Sequence, residues 1–292
     1  MNSITEAALP RLQALMGQGV GAVDTPTLVL DLDAMERNLA RMAAFAKDSG
    51  VRLRPHAKMH KSAVLARLQI QAGAVGVCVQ KTSEAEALAA GGVNDIYISN
   101  EVIAPHKLQR VAALARVLSS RGGRLAIAVD SLQGVRALAH AINNTSPVRP
   151  ELPVLSTVEG VEGLGGFDPS ASSGQAKLSP NGIVNCGTAG DLIDVFVELD
   201  VGHGRCGVTS PEAAVALARE IARHSVLRFA GLQAYHGRAQ HLCNVRHRQE
   251  ASAASLAVVK AGCAQLPAAR LCADLVSAGG EGGLAFGGRA GV

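Results

Sequence analysis

The sequence predicts an α/β fold, a (β/α)8-type barrel that is incomplete at its C-terminal end and interrupted by one insertion. Three observations predict it. Short apolar runs that read as strands buried on both faces alternate with helical segments of ~10–15 residues, about seven times along the chain. Of the 292 residues, 48% are hydrophobic and 18% charged, enough apolar mass for one large core. With a Pro/Gly-rich stretch at 145–182 set aside, the remainder has the ~250-residue length of a single barrel.

The elements follow in order after an N-terminal extension over 1–24. Thr27–Leu32 is a β-rich run. Asp33, with Glu36 three residues on, reads as the cap of a helix whose Met35, Leu39, Met42 and Ala46 share one face and which Ser49-Gly50 ends. Val51–Pro55 reads as a strand and His60–Gln71 as a helix stopped by Gly73. Ala74–Val79 is a short apolar strand, and Ser83-Glu-Ala-Glu86 is a capping box that opens a helix ending at Gly91-Gly92. Asp95–Ser99, Arg124–Val129, Leu192–Leu199, Leu227–Tyr235 and Leu271–Val276 are the later strands. Ala104–Ser119, Leu132–Ile142, Pro211–His224 and Arg246–Cys263 are the later helices. Between Thr145 and Gly182 the chain places five of its eleven prolines and six glycines without a sustained period, which reads as a disordered surface insertion that a barrel tolerates.

Composition excludes several classes of partner. A formal charge of +4 offers neither a nucleic-acid footprint nor a membrane-surface patch. Aromatic residues make up 2%, too few for a base-stacking platform. No basic start is followed by an apolar core and no run reaches ~18 apolar residues, so a cytoplasmic location without a membrane span is expected. Cys78, Cys186, Cys206, Cys243, Cys263 and Cys272 lack paired C-x-x-C spacing, which speaks against a zinc knuckle or a disulfide scaffold.

In a barrel the chemistry sits where strands end. Arg54-Pro-His-Ala-Lys58-Met-His-Lys61 packs two histidines and two lysines just past a strand, where a partly desolvated lysine becomes nucleophilic and can form a Schiff base. A solvated basic loop is the alternative. Glu198-Leu-Asp-Val-Gly-His-Gly-Arg-Cys-Gly207 matches G-x-G-x-x-G through Gly202, Gly204 and Gly207, but Glu198 and Asp200 would repel a pyrophosphate, and no acidic strand end lies ~20 residues on. A Gly-rich turn that presents Arg205 to an anion or a cofactor ring makes better sense, against the alternative of an ion pair between Arg205 and Asp200 or Glu198. Gln233-Ala-Tyr235-His236-Gly237 sets one of only two tyrosines beside an imidazole that could stack on a flat cofactor or move protons. Ser277-Ala-Gly279-Gly-Glu-Gly282-Gly283 follows the last strand, where barrels often hold phosphate on backbone N–H groups.

Asp24–Asp33, Arg54–Lys61, Gly76–Lys81 with Ser83–Glu86, Glu198–Gly207 and Gln233–Gly237 together resemble the D-threonine aldolase and 3-hydroxy-D-aspartate aldolase group. These are alanine-racemase-like, fold-type III enzymes that use pyridoxal 5′-phosphate (PLP). The resemblance covers about 24–143 and 190–292. It implies that Lys58 joins PLP, that Arg205 lies near the cofactor, and that Tyr235 and His236 form the pair at its face. It further implies that Gly279, Gly280, Gly282 and Gly283 form the phosphate loop. Glu281 and Gly283 replace hydroxyl residues there, and a carboxylate aimed at a phosphate weakens binding. Family members also carry a last barrel strand and a β-rich C-terminal domain with a His-Cys site for a divalent metal, Mn²⁺ or Mg²⁺. In this chain those ligands have no counterpart, and the insertion matches nothing in the family pattern.

The activity implied is cleavage of a β-hydroxy D-amino acid, 3-hydroxy-D-aspartate or D-threonine, to glycine and an aldehyde, with His236 or His60 taking the hydroxyl proton and a homodimer as the working unit. Dehydration of D-serine or 3-hydroxy-D-aspartate on the same fold is the neighbouring outcome. A single-barrel PLP-binding protein without catalysis and an inactive fragment are the other readings.

Overall fold

The computed structural model describes residues 13–145, 193–267, 271 and 275–278. Most of the expected insertion, from 146 to 182, therefore lies outside the described residues. The chain divides into a unit ending at Phe45 and a larger one from Ala46 onward. The N-terminal unit holds a 3-10 turn at Val20–Ala22 and most of helix α1, Leu32–Asp48. The strand expected at Thr27–Leu32 does not form. Extended backbone needs a hydrogen-bonded neighbour to become a strand, and Leu28 here is 98% exposed. The helix begins at Leu32, and its cap is Asp31, whose Oδ1 accepts from Ala34 N at 2.9 Å, in place of Asp33.

The larger unit is built on six parallel strands: β1 Val77–Val79, β2 Asp95–Glu101, β3 Arg124–Val129, β4 Ile193–Glu198, β5 Leu227–Ala234 and β6 Leu275–Ala278. Helices α2 Ala63–Gln71, α3 Thr82–Ala90, α4 Pro105–Ser120, α5 Leu132–Asn144, α6 Pro211–Ala222 and α7 Val245–Gln265 alternate with them. Among the described strands the spatial order equals the chain order, β1 through β6, and every pairing is parallel. A doubly wound sheet reverses its order at a switch point. Here no reversal occurs, and the buried helix residues all pack against one face of the sheet, as in a barrel wall.

Side-chain alternation confirms the two faces. Outward residues such as Ile96, Ile127 and Val195 join one apolar cluster with helix residues Leu88, Leu118, Leu138 and Ile221. Inward residues Cys78, Tyr97, Ala126, Ala128, Phe196 and Ala230 form a second cluster that contains no helix residue. Below it, toward the N-terminal strand ends, the inner face carries ion pairs. Arg228 holds both oxygens of Asp194 at 2.6 Å, Arg124 reaches the same carboxylate at 3.1 Å, and Arg54 meets Asp95 at 2.6 Å.

Hydroxyl and amide caps start several helices: Ser62 for α2, Ser131 for α5, Ser210 for α6 and Asn244 for α7. The α2 start at Ala63 corrects the expected start at His60, because Lys61 takes a left-handed φ of 53° that a helix cannot include. The α3 cap is likewise two residues early. Glu84, not Glu86, reaches back to the N–H groups of Gln80 and Lys81 at 3.0 and 3.1 Å. Val51–Pro55 is not a regular strand, yet Leu53 and Pro55 accept from Val75 and Cys78 at 2.9 and 2.7 Å, so the segment runs beside β1. Proline at 55 lacks the donor that would continue the ladder. Among the described residues no helix is long and apolar enough to cross a membrane.

Gly76 is what lets this first segment lie against the sheet. A Cβ there would stand 2.5 Å from Arg54 Nη1 and 2.6 Å from Asp95 O. Gly76→Ala should therefore destabilise the fold by about 1–3 kcal/mol, read as a lower urea midpoint at unchanged slope.

Candidate functional site

Polar side chains, with Lys58, Arg205, Tyr235 and His236 singled out by sequence among them, gather at the C-terminal ends of the strands. Lys58 follows the 53–57 segment, Ser99 and Glu101 end β2, Asp130 follows β3, Glu198–Gly207 follows β4, and Tyr235-His236 follows β5. Gly279, Gly280, Gly282 and Gly283, expected after β6, lie outside the described residues.

Lys58 is half-buried in a tight turn whose Ala57 N donates to Cys78 O at 2.7 Å. Its backbone N donates to His56 Nδ1 at 3.3 Å, and the other ring nitrogen of His56 lies 3.3 Å from Ser99 Oγ. Burial, followed by the Lys58 charge, holds His56 down to about 4, so its ring is neutral at physiological pH. Lys61 lies 3.6 Å from Glu84 and is largely exposed. His60 is turned to α2, with Ser62 N donating to Nδ1 at 3.1 Å and Gln69 Oε1 3.3 Å from Nε2. Both of its ring nitrogens are engaged locally, which gives it a structural place at the helix start.

Asp200 organises the glycine-rich turn: its Oδ1 accepts from Gly202 N at 3.0 Å and Gly204 N at 2.9 Å. Those are the N–H groups a pyrophosphate would need, so the dinucleotide reading fails on occupancy as well as charge. With Asp200 so engaged, the carboxylate facing Arg205 is Glu198, at 3.6 Å. Glu198 also accepts from Gln233 Nε2 at 2.6 Å, and Gln233 in turn accepts from the buried Tyr97 hydroxyl. Burial, followed by the contact with Glu101, pushes Glu198 up to about 8.

Glu101, Asp130 and Cys206 bring three ligand-type atoms within 4.8 Å of one another. Asp130 is occupied by Gly207 N–H at 3.2 Å. Burial, then Glu101, pushes the Cys206 thiol up to about 11, so the thiol is protonated at physiological pH.

His236 is held at one ring nitrogen. Ser255 Oγ lies 3.1 Å from its Nδ1, 2.9 Å from Ala251 O and 3.1 Å from Val201 O, so Nδ1 is the ring nitrogen tied to helix α7. Nε2 faces Gly202, where a Cβ would stand 3.3 Å away. The Tyr235 ring meets His203 edge-on at 6.0 Å and 66°, and its hydroxyl accepts from Gln240 at 2.8 Å. Burial first, then Arg205 and Arg238, lowers the His203 pKa.

Sequence reasoning did not single out His203, Tyr97, Glu101 or Gln233 as site residues. Only their positions near strand ends signalled them, since each acts through a partner distant in the chain.

Residues 30–156 and 181–287 match the sequence profile of the alanine racemase N-terminal domain. The chain is 36% identical over 282 residues to a 3-hydroxy-D-aspartate aldolase of Paracoccus denitrificans (strain Pd 1222), covering 96% of this chain and 60% of the relative. It is 44% identical over 117 residues to a D-threo-3-hydroxyaspartate dehydratase of Delftia sp. (strain HT23), covering 40% of this chain and 30% of that one. The crystal structure of D-threonine aldolase from Filomicrobium marinum superposes with a TM-score of 0.74 at 36% identity, covering 92% of this chain and 60% of that one. The chain thus spans about 60% of the length of the aldolases it matches.

The depressed His56 makes a stability prediction. As pH falls from 6.5 toward about 4, the unfolded chain binds a proton that folded His56 refuses, so this contribution is present above 6.5 and lost on acidification. His56→Asn should flatten the fall of the urea midpoint over that window.

Proposed function

This chain belongs to the alanine racemase N-terminal domain family, and from that premise we propose that it is the PLP-binding part of an aldolase-type lyase. Its substrate would be a β-hydroxy D-amino acid, 3-hydroxy-D-aspartate or D-threonine, cleaved to glycine and an aldehyde. The observation that carries the reading is Lys58, half-buried and held by the His56–Cys78 turn at the strand ends.

The surrounding residues suit PLP. An amine, the flat rings of His203, Tyr235 and His236, the Arg205 guanidinium, and buried Glu101 oxygens without a donor lie at the ends of neighbouring strands. Lys58 would hold the cofactor, Arg205, Tyr235 and His236 would flank it, and Gly279, Gly280, Gly282 and Gly283 would take its phosphate. When bound, PLP supplies an electron sink for the Cα–Cβ bond that breaks. His236 takes the β-hydroxyl proton at Nε2, the nitrogen left free by Ser255. Gly202 keeps side-chain bulk away from that nitrogen. The resemblance also leads us to propose a homodimer, a cytoplasmic location and a requirement for Mn²⁺ or Mg²⁺. Loss of the β-hydroxyl, as in a dehydratase, is the second reading, favoured by the 44% identity over 117 residues; it would yield a 2-oxo acid and ammonia.

Borohydride reduction of the protein with PLP, followed by peptide mapping, should place the adduct on Lys58. Lys58→Ala should lose both the adduct and aldehyde release from D-threonine or 3-hydroxy-D-aspartate with added Mn²⁺. An adduct on Lys61, or none, overturns the assignment, and ammonia in place of aldehyde selects the dehydratase.

A further inference from the structure

The turns that follow β4 and β5 mesh with each other at the C-terminal end of the sheet. A Cβ on Gly202 would stand 3.3 Å from His236 Nε2, one on Gly237 would stand 2.6 Å from His203 Cε1, and one on Gly204 would stand 3.9 Å from Arg238 Nη2. Gly-His-Gly over 202–204 is thus set against His-Gly-Arg over 236–238, each side chain lying over a glycine of the opposite turn. This register fixes the Arg238 guanidinium on the same rim as the His236 imidazole, one step further along. Arg238 is exposed, and among the described residues it forms no ion pair and donates no hydrogen bond. The acids of the turn are engaged elsewhere. Asp200 accepts from the N–H groups of Gly202 and Gly204, and Glu198 accepts from Gln233 and faces Arg205. The chain that follows supplies no other counter-ion: from Gly237 to Gln249 it contains Arg238, His241, Arg246, His247 and Arg248 and no acidic residue, and Glu250, the next acid, pairs with Arg246 at 2.9 Å.

We propose that Arg238 is a specificity-determining residue that takes the second carboxylate of a β-hydroxy dicarboxylic D-amino acid, so that the site prefers 3-hydroxy-D-aspartate to D-threonine. These substrates differ at one group, since the β-carbon of the first bears a carboxylate where that of the second bears a methyl. His236 addresses the hydroxyl on that same carbon, and a cation one step along the rim meets the remaining substituent. A guanidinium offers a carboxylate two parallel N–H donors and finds no partner in a methyl group. The basic run from Arg238 to Arg248 adds a field that favours a substrate of net negative charge over a neutral zwitterion. The inference rests on the functional reading above for the identity of the substrate, whereas the carboxylate site belongs to the protein with or without its cofactor.

The test uses two readouts. In PLP-loaded protein kcat/KM should favour 3-hydroxy-D-aspartate over D-threonine, and Arg238→Gln should lower that ratio by about 10–100-fold, chiefly through KM. Arg238→Lys, which keeps the charge without the planar fork, should recover part of the ratio. Arg246→Gln removes a charge from the same basic run and should leave the ratio in place. A merely structural role for Arg238 would lower both substrates alike. The second readout needs no turnover: by calorimetry on cofactor-free protein, succinate should bind about tenfold more tightly than butyrate, and Arg238→Gln should abolish the difference. A ratio unchanged in Arg238→Gln, an equal fall in Arg246→Gln, or succinate and butyrate bound alike by wild type overturns the inference. Discrimination of succinate that is lost in Arg238→Gln, with no product from either substrate and no Lys58 adduct, would uphold the carboxylate site and sink the functional reading instead.

Discussion

The Tyr97 and Phe196 rings pack at 5.0 Å and 47° on the inner face of the sheet, in a chain with only seven aromatic side chains. Their neighbours there are small, Cys78, Ala126, Ala128 and Ala230. Such a contact is worth about 0.5–1.5 kcal/mol beyond its area. Its position matters more than that figure. The Tyr97 ring fills the middle layer while its hydroxyl fixes Gln233, Gln233 fixes Glu198, and Glu198 faces Arg205. Packing of the interior and orientation of the mouth are thus one continuous set of contacts.

The two ends of that inner face treat charge in opposite ways. At the N-terminal strand ends Asp194 has two arginines and Asp95 has one, so each carboxylate is compensated directly. At the C-terminal ends the buried Glu198 has a single guanidinium, which is itself 41% exposed, and the Glu101 oxygens are buried without a hydrogen-bond partner. The first arrangement holds strands together. The second leaves groups whose protonation and pairing can change, which is where a reaction can be run. His56, kept neutral first by its burial, and His236, held at Nδ1 by Ser255, lie at the same end.

Family membership and this geometry bear on each other through the turn after β4. A glycine-rich loop read without its partners suggests phosphate binding, but Asp200 occupies its N–H groups and Gly207 approaches the Leu199–Asp200 backbone too closely for any side chain. The turn therefore serves to present His203 and Arg205. The relatives share this part of the chain, while the remaining 40% of their length has no match here.

Much of the architecture was legible from pattern alone. β3 is found at the residues its apolar run indicated, and α4 and α7 differ from expectation by one or two residues at their ends, because burial on both strand faces and 3.6-residue periodicity are local properties. Lys58, Arg205, Tyr235 and His236 were legible as strand-end residues by the same logic. What local pattern could not reveal was pairing. Thr27–Leu32 has the composition of a strand but no neighbour among the described residues, and Glu84 displaced Glu86 as a cap because only its carboxylate reaches the free N–H groups. Tyr97 and Glu198 stand about a hundred residues apart, and nothing along the chain marks them as the two ends of one hydrogen-bonded path through Gln233. Tertiary structure alone brought them together, since a carboxyl group's charge state is decided by the groups that surround it in space and by its access to water, neither of which is written in neighbouring residues.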